Sequence, residues 1–248
     1  MPDVAATTQV AEGVHRLGSK IVNYYLVEDG SALTVIDAGL PGLRPSLDAT
    51  LAALGRTPGD IQALVLTHAH NDHVGIAERL RAEAGVPVHV HRSDEQRART
   101  LKQPKGDGAI LPLLRHATAW RLLWHFATNG RPKKIAEVTT FGDGDVLDVP
   151  GRPVVVPTPG HTEGHVSLHL PDRGVLFAGD AMNSRNPATG REGPQPMPSA
   201  FNTSTSQALE SLANLEGLDA GVVLFGHGDP WHDGPAAAVA SARELGPS

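Results

Sequence analysis

THAHNDHVG, Thr67–Gly75, places three histidines and an aspartate within six positions at the end of a short apolar run, IQALVLT (61–67). The run reads as a buried strand. The stretch that follows, VGIAERLRAEAG (74–85), has the spacing of an amphipathic helix stopped at Gly85. His68, His70, Asp72 and His73 therefore fall in a loop at the carboxyl end of a strand, where α/β folds place ligands. Histidines so close together do little for a core. Either they face water or they share a partner.

The rest of the chain supplies partners at equivalent places. IVNYYLVE (21–28) and ALTVID (32–37) form a predicted hairpin ending in Asp37, followed by a helical stretch at 43–54. HVSLHL (165–170) and VLFAGD (175–180) repeat that hairpin and end in Asp180. A helix over 206–217 and a strand, GVVLFGH (221–227), ending in His227 complete the second half. Each half thus runs hairpin, Asp, helix, strand, His, a weak duplication of pattern. Two such units would stack sheet on sheet with helices outside. His161, in TPGHTEGH, precedes the second hairpin. Five His and two Asp can then meet at one edge, enough donors for one tetrahedral site or for two metals sharing a carboxylate.

The totals narrow the chemistry. The 248 residues include no cysteine, so thiolate ligands, Cys nucleophiles and disulfides are excluded, and any metal is held by nitrogen and oxygen. With 40% hydrophobic and 19% charged residues, the chain reads as globular. A net charge of −6 argues against nucleic acid as a partner, and no stretch has bilayer-spanning length, so no membrane partner is expected either. The N-terminal segment lacks a basic start followed by an apolar run, which makes the cytoplasm the default location.

Taken together, THAHNDHVG, TPGHTEGH, AGDA and FGHGDP resemble the motif series of the metallo-β-lactamase-fold hydrolases, over about Asn23 to Trp231. The resemblance implies an α/β chain folded as a single domain, a four-layer αβ/βα sandwich, and the stretch at about 92–137, which has no counterpart in the first half, reads as a helical insert in it. The resemblance assigns His68, His70 and His161 to a first metal, Asp72, His73 and His227 to a second, and Asp180 to a bridge. By the resemblance Asp37, in VIDAG, would stand behind these ligands and orient them, and His165, by its place in HTEGH, is a candidate for the same role. The implied cofactor is two divalent ions, zinc by preference, with iron or manganese also able to occupy an all-N/O site. The implied activity is that of a dinuclear hydrolase whose metal-bridging hydroxide cleaves a carboxyl ester, lactone or thioester of a small molecule, with Asp72 shuttling a proton to the leaving atom. Because metal-binding histidines must be neutral, activity is expected to fall below about pH 6.

Departures from known subfamilies limit the substrate. A dedicated β-lactamase would lack Asp180, and with 21 residues after His227 the glutathione-holding domain of glyoxalase II enzymes is not expected. The basic clamp segments of the RNA-processing members are not evident. Lactonases of the family match best, but their tyrosine beyond the bridging Asp is absent; Asn183, Ser184 or Arg185 are the candidate replacements. In the insert, Ser93 with Gln96 fits a capping box, and 110–127 reads as one apolar helix. Trp120 and Trp124 share a face of it with Leu113 and Ala117. That face either walls an apolar pocket, packs on the sandwich or meets a second subunit of a homodimer. The rival activity on this fold is that of a persulfide dioxygenase using one iron.

Overall fold

The computed structural model describes residues 7–248. The first six residues of the N-terminal segment considered above lie outside it. A seven-stranded sheet runs in chain order through β1 (Thr8–Ala11), β2 (Val14–Gly18), β3 (Asn23–Asp29), β4 (Ala32–Ile36), β5 (Ile61–Val65), β6 (Val88–His91) and β7 (Thr139–Phe141). The first four strands pair antiparallel and the rest parallel. Helices α1 (Arg44–Ala53) and α2 (Ala77–Ala84) make the crossovers from β4 to β5 and from β5 to β6. The insert holds α3 (Glu95–Thr100) and α4 (Ala117–Thr128). A second sheet has the order β13-β10-β9-β8, formed by β8 (Val154–Pro157), β9 (Val166–Leu170), β10 (Val175–Gly179) and β13 (Val222–Phe225). A two-stranded ribbon of β11 (Asn183–Arg185) and β12 (Glu192–Gln195) stands apart from both sheets. Helices α5 (Thr205–Ser211) and α6 (Gly234–Leu245) complete the second half.

The alternation of side chains along each strand builds the layers. In β10, Val175 and Phe177 face the first sheet's Tyr25, Val27, Ile36 and Val65, while Leu176 and Ala178 face the opposite way, toward Leu212, Leu215 and Val239. In β4, Leu33 and Val35 turn outward to Leu47 and Leu51 of α1 and Leu80 of α2. Three apolar layers thus separate four layers of structure, the αβ/βα sandwich. The duplicated pattern is realised as well: β3-β4-β5 and β9-β10-β13 each comprise an antiparallel pair followed by a parallel neighbour.

Local differences from the sequence expectations have identifiable causes. Helix α2 begins three residues late because Gly75 N and Ile76 N donate to Gly39 O and Ala38 O at 2.8 and 3.1 Å. A Cβ on Gly75 would lie 2.3 Å from Gly39 O, so this close approach needs glycine. The stretch 110–127 is not one helix. A 3-10 turn, Leu111–Arg115, with Pro112 in its first turn, ends at His116, whose extended backbone (φ −94°, ψ 130°) breaks the ladder before α4. No capping box forms at Ser93; Asp94 precedes α3 and its carboxylate is committed elsewhere.

Candidate metal centre

Four of the five histidines are held by the outer ring nitrogen, Nδ1. His73 Nδ1 donates to Asp37 Oδ2 (2.9 Å), His161 Nδ1 to Asn202 Oδ1 (2.9 Å) and His227 Nδ1 to the Ile21 carbonyl (2.6 Å). His68 Nδ1 donates to Thr67 Oγ1 at 3.0 Å, and that hydroxyl donates on to Asp37 Oδ2 at 2.8 Å. In the neutral form of these four rings Nε2 is consequently the bare nitrogen, and all four face inward. His70 is turned the other way, with Nδ1 facing His161 Nε2 at 2.8 Å.

The inward atoms cluster. The donor atoms of His68, His70 and His161 lie within 4.8 Å of one another, as do those of Asp72, His73 and His227, and those of His68, His73 and Asp180. Asp180 Oδ2 lies 3.5 Å from His161 Nε2, 3.6 Å from His73 Nε2 and 3.3 Å from His227 Nε2, which places one carboxylate between the two groups. Asp72 Oδ2 lies 3.5 Å from His227 Nε2 and 3.9 Å from His73 Nε2. His68 Nε2, His73 Nε2, His227 Nε2 and Asp180 Oδ1 are buried with no hydrogen-bond partner. Four orphaned buried acceptors at one point are costly unless a cation joins them. The residues therefore fit divalent metal.

Electrostatics point the same way. Burial pushes His68 and His70 well below the ordinary imidazole value, and neighbouring rings push them further. Burial also lowers His161. At His73 burial works downward too, but the carboxylates of Asp37, Asp180 and Asp72 outweigh it and raise the ring well above its usual value. His227 is raised likewise, by Asp180 and Asp72 against burial. Asp180, which burial alone would raise, is held well below the carboxylate range by His227 and His73. The carboxylate side of the cluster demands positive charge, which a proton or a metal can supply.

Behind the ligands, the two expected supporting residues are in place. Asp37 sits at φ 60°, a left-handed conformation that Asp tolerates. Its Oδ1 accepts from Thr67 N at 2.8 Å while Oδ2 takes His73. His165 is neutral, its pKa lowered to about 3 by burial first. Its Nε2 accepts from Asp180 N at 2.9 Å, leaving Nδ1 to donate to Thr158 Oγ1 at 2.9 Å.

Two supporting residues, Asn202 and Asp94, go beyond the sequence expectations. Asp94, fully buried, accepts from Ala69 N (2.9 Å), Thr162 Oγ1 (2.8 Å) and Gly164 N (3.0 Å). It ties the His68–His70 loop to the loop carrying His161. Nothing in its local sequence marks it, because both loops are distant in the chain.

A cavity of about 470 Å³ opens on His70, Asp72, His161, Asp180 and His227. Leu113, Leu122, Leu123 and Phe126 of the insert wall it on one side, and Met197 and Phe201 on another. The proposed substrate-contacting residues fare differently. Trp120 and Trp124 are 59% and 72% exposed and are absent from the cavity lining, since α4 turns its opposite face inward. Asn183 is fully buried and its Oδ1 accepts from His227 N at 2.7 Å, so it braces a ligand loop rather than meeting substrate. Ser184 Oγ donates to the Asp229 carbonyl at 2.6 Å. Arg185 lines a smaller cavity of about 180 Å³ beside His227, together with Lys20 and Arg121.

Comparison with known proteins agrees with the site. The family model of the metallo-beta-lactamase superfamily matches residues 17–227. The chain is 29% identical over 246 residues to the probable metallo-hydrolase YflN of Bacillus subtilis (strain 168), covering 90% of this chain and 86% of that protein. It is 30% identical over 198 residues to a hydroxyacylglutathione hydrolase of Rhizobium meliloti (strain 1021), covering 79% of this chain but 57% of that enzyme. Among solved structures, a metallo-beta-lactamase family protein from Thermus thermophilus superposes with a TM-score of 0.69 at 27% identity, over 96% of this chain and 79% of that one. The conjunction of fold, inward-facing His/Asp cluster and family match places this chain in the metallo-beta-lactamase superfamily.

Proposed function

We propose that the protein is a metal-dependent hydrolase of a small carboxyl ester, lactone or thioester whose acyl part is apolar. The observation that carries this reading is the cavity: its walls are mainly aliphatic and aromatic, with Asn71, Gln103, Lys105 and Thr203 among them, and its floor is the His/Asp cluster. The two ligand groups with Asp180 between them suit two divalent ions, and zinc is the metal whose usual His and carboxylate donors match. Such ions supply a water ionised near neutral pH and a Lewis-acid contact for the carbonyl oxygen. The chain supplies the rest. The apolar wall from α4 buries the acyl group and excludes bulk water, which fixes the reacting carbonyl against the cluster. Asp72 lines the cavity and is the more open of the two central carboxylates, with its side chain 12% exposed against 2% for Asp180. It is the group placed to receive a proton and return it to the departing oxygen or sulfur. Neither tyrosine reaches the cavity, since Tyr24 and Tyr25 are buried in the sandwich.

The test combines metal content by mass spectrometry, on protein purified without chelator or affinity metal, with hydrolysis of ester, lactone and thioester series of increasing acyl length. Near two metals per chain are expected, with kcat/KM rising about three- to four-fold per methylene (~0.8 kcal/mol each) until the cavity fills. One iron per chain with oxygen uptake, or a fully loaded protein inert to the whole series, refutes the reading.

A further inference from the structure

The insert presents a second feature, an exposed apolar face that carries Trp120 and Trp124 of α4. Six large hydrophobic residues are exposed among the described residues, and five of them, Ile110, Leu111, Trp120, Leu123 and Trp124, fall in one stretch. Exposed Leu or Trp occurring singly is ordinary; five together form a patch. The same stretch is basic. Residues 101–134 contain seven Lys or Arg and a single acidic residue, Asp107, whereas the rest of the chain has 14 Lys or Arg against 26 Asp or Glu. The chain total of −6 conceals this segregation, so the net charge by itself points away from an anionic partner. Arg115 and Arg121 lie on either side of Trp120 in the chain, and Lys133 and Lys134 follow the end of α4.

We propose that this face docks on an anionic phospholipid surface, with Trp120 and Trp124 at headgroup depth. Three observations favour that occupant. First, an apolar and aromatic stretch whose charged residues are seven Lys or Arg and one Asp matches the chemistry of an interfacial lipid-binding face. No helix among the described residues is long and apolar enough to cross a membrane, so the contact is peripheral. Second, the indole N–H of Trp120 is already satisfied by the Leu114 carbonyl at 2.9 Å, so the ring can enter an apolar layer without an unpaired donor. Third, Ile110 and Leu123 belong both to the exposed patch and to the cavity lining. The patch is thus continuous with the cavity mouth, and docking would present that mouth to the bilayer. A symmetric pair through the same face is disfavoured, because a two-fold axis would set each basic stretch against its own copy.

Cosedimentation with vesicles tests this on the full chain, using phosphatidylcholine alone and phosphatidylcholine mixed equally with phosphatidylglycerol. Binding to the anionic vesicles only is expected, weakening as salt rises. It should come with a blue shift of tryptophan emission that the Trp120→Ala/Trp124→Ala variant, retaining only Trp231, does not show. Each cation removed should lower affinity about five-fold, so Arg115→Gln/Lys133→Gln/Lys134→Gln should lose roughly a hundred-fold. Thermal unfolding and hydrolysis of water-soluble substrates should be unchanged in both variants. The proposal is overturned by absence of binding at low salt, by equal binding to both vesicles, or by a dimer in sedimentation velocity that Trp124→Arg dissolves. Because lipid binding is read without turnover, its failure is distinct from failure of the hydrolase reading.

Discussion

Asp94→Ala is the substitution that most directly tests how the centre is held. Asp94 touches none of the bare nitrogens, yet its two oxygens accept three hydrogen bonds from two loops, one carrying His68 and His70, the other His161. Hydrogen bonds to a buried carboxylate contribute about 1.5–3 kcal/mol each, and they do not add fully. Truncation removes the acceptor and leaves the Ala69 and Gly164 amides and the Thr162 hydroxyl facing a void. Arg97 Nε, 3.5 Å from Asp94 Oδ1, loses that carboxylate, while its Nη2 keeps Glu163 at 2.5 Å. A net loss of about 3–5 kcal/mol follows. For a chain of this size that corresponds to a fall in Tm of roughly 10 °C. Asp94→Asn keeps the shape but sets an NH₂ against one of the donors, and should lose about half as much. The metal readout separates positioning from stability. Supporting partners of ligand loops typically change metal affinity about 10- to 100-fold. The loss should fall on the His68, His70, His161 group, while the Asp72, His73, His227 group, anchored through Asp37, keeps its affinity. Competition titration with a chromophoric chelator at a temperature where both variants are folded reads the two steps separately. If Asp94→Ala binds the metals as wild type does, within about two-fold at both steps, Asp94 is a buried polar group the fold tolerates and the positioning argument fails.

Other contacts in the centre make their own predictions. A Cβ on Gly226 would lie 2.1 Å from Asp180 Oδ1 and 2.8 Å from His73 Cε1, so Gly226→Ala should strip metal binding and activity at nearly unchanged far-UV dichroism; wild-type metal content in that variant would contradict the packing. Asp37→Asn should weaken the Asp72, His73, His227 group about 10- to 100-fold, since His73 loses the anion that fixes its tautomer; unchanged affinity would show that the ring is held by packing alone. Metal binding near pH 7 should release protons, because His73 and His227 have raised pKa values and bind metal only when neutral. Affinity then rises about ten-fold per pH unit for each proton displaced, and calorimetry in buffers of different ionisation enthalpy counts them; a heat independent of buffer would sink this. His165, with a folded pKa of about 3, stays neutral in the native state while the unfolded chain takes up a proton below about 6.5. Its contribution is therefore complete above about pH 6.5 and is lost on acidification by up to ~1.4 kcal/mol per pH unit until about pH 3. Denaturation of the metal-free protein from pH 7 to 4 should show a steeper decline in wild type than in His165→Gln, and parallel curves would refute the assignment.

The ease of reading the metal cluster from sequence, and the difficulty of reading its surroundings, have the same physical origin. His68, His70, Asp72 and His73 occupy one loop, and the apolar strand before it announces where that loop lies. His161, Asp180 and His227 each end or precede an equally regular strand, so the sandwich and the cluster are legible together. Asp94, Asn183 and Asn202 serve the cluster through contacts that skip 25 to 70 residues. A lone Asp or Asn in a turn looks the same whether it solvates a loop or clamps two. The insert misleads in another way. Its helix α4 has apolar residues around most of its circumference, so periodicity cannot say which face turns inward. The tryptophans look like the pocket wall, yet Leu122 and Phe126, on the other side, fill that role. The tryptophan face is what tertiary packing leaves over, and the lipid surface proposed for it rests on the charge of residues 101–134 as much as on hydrophobicity.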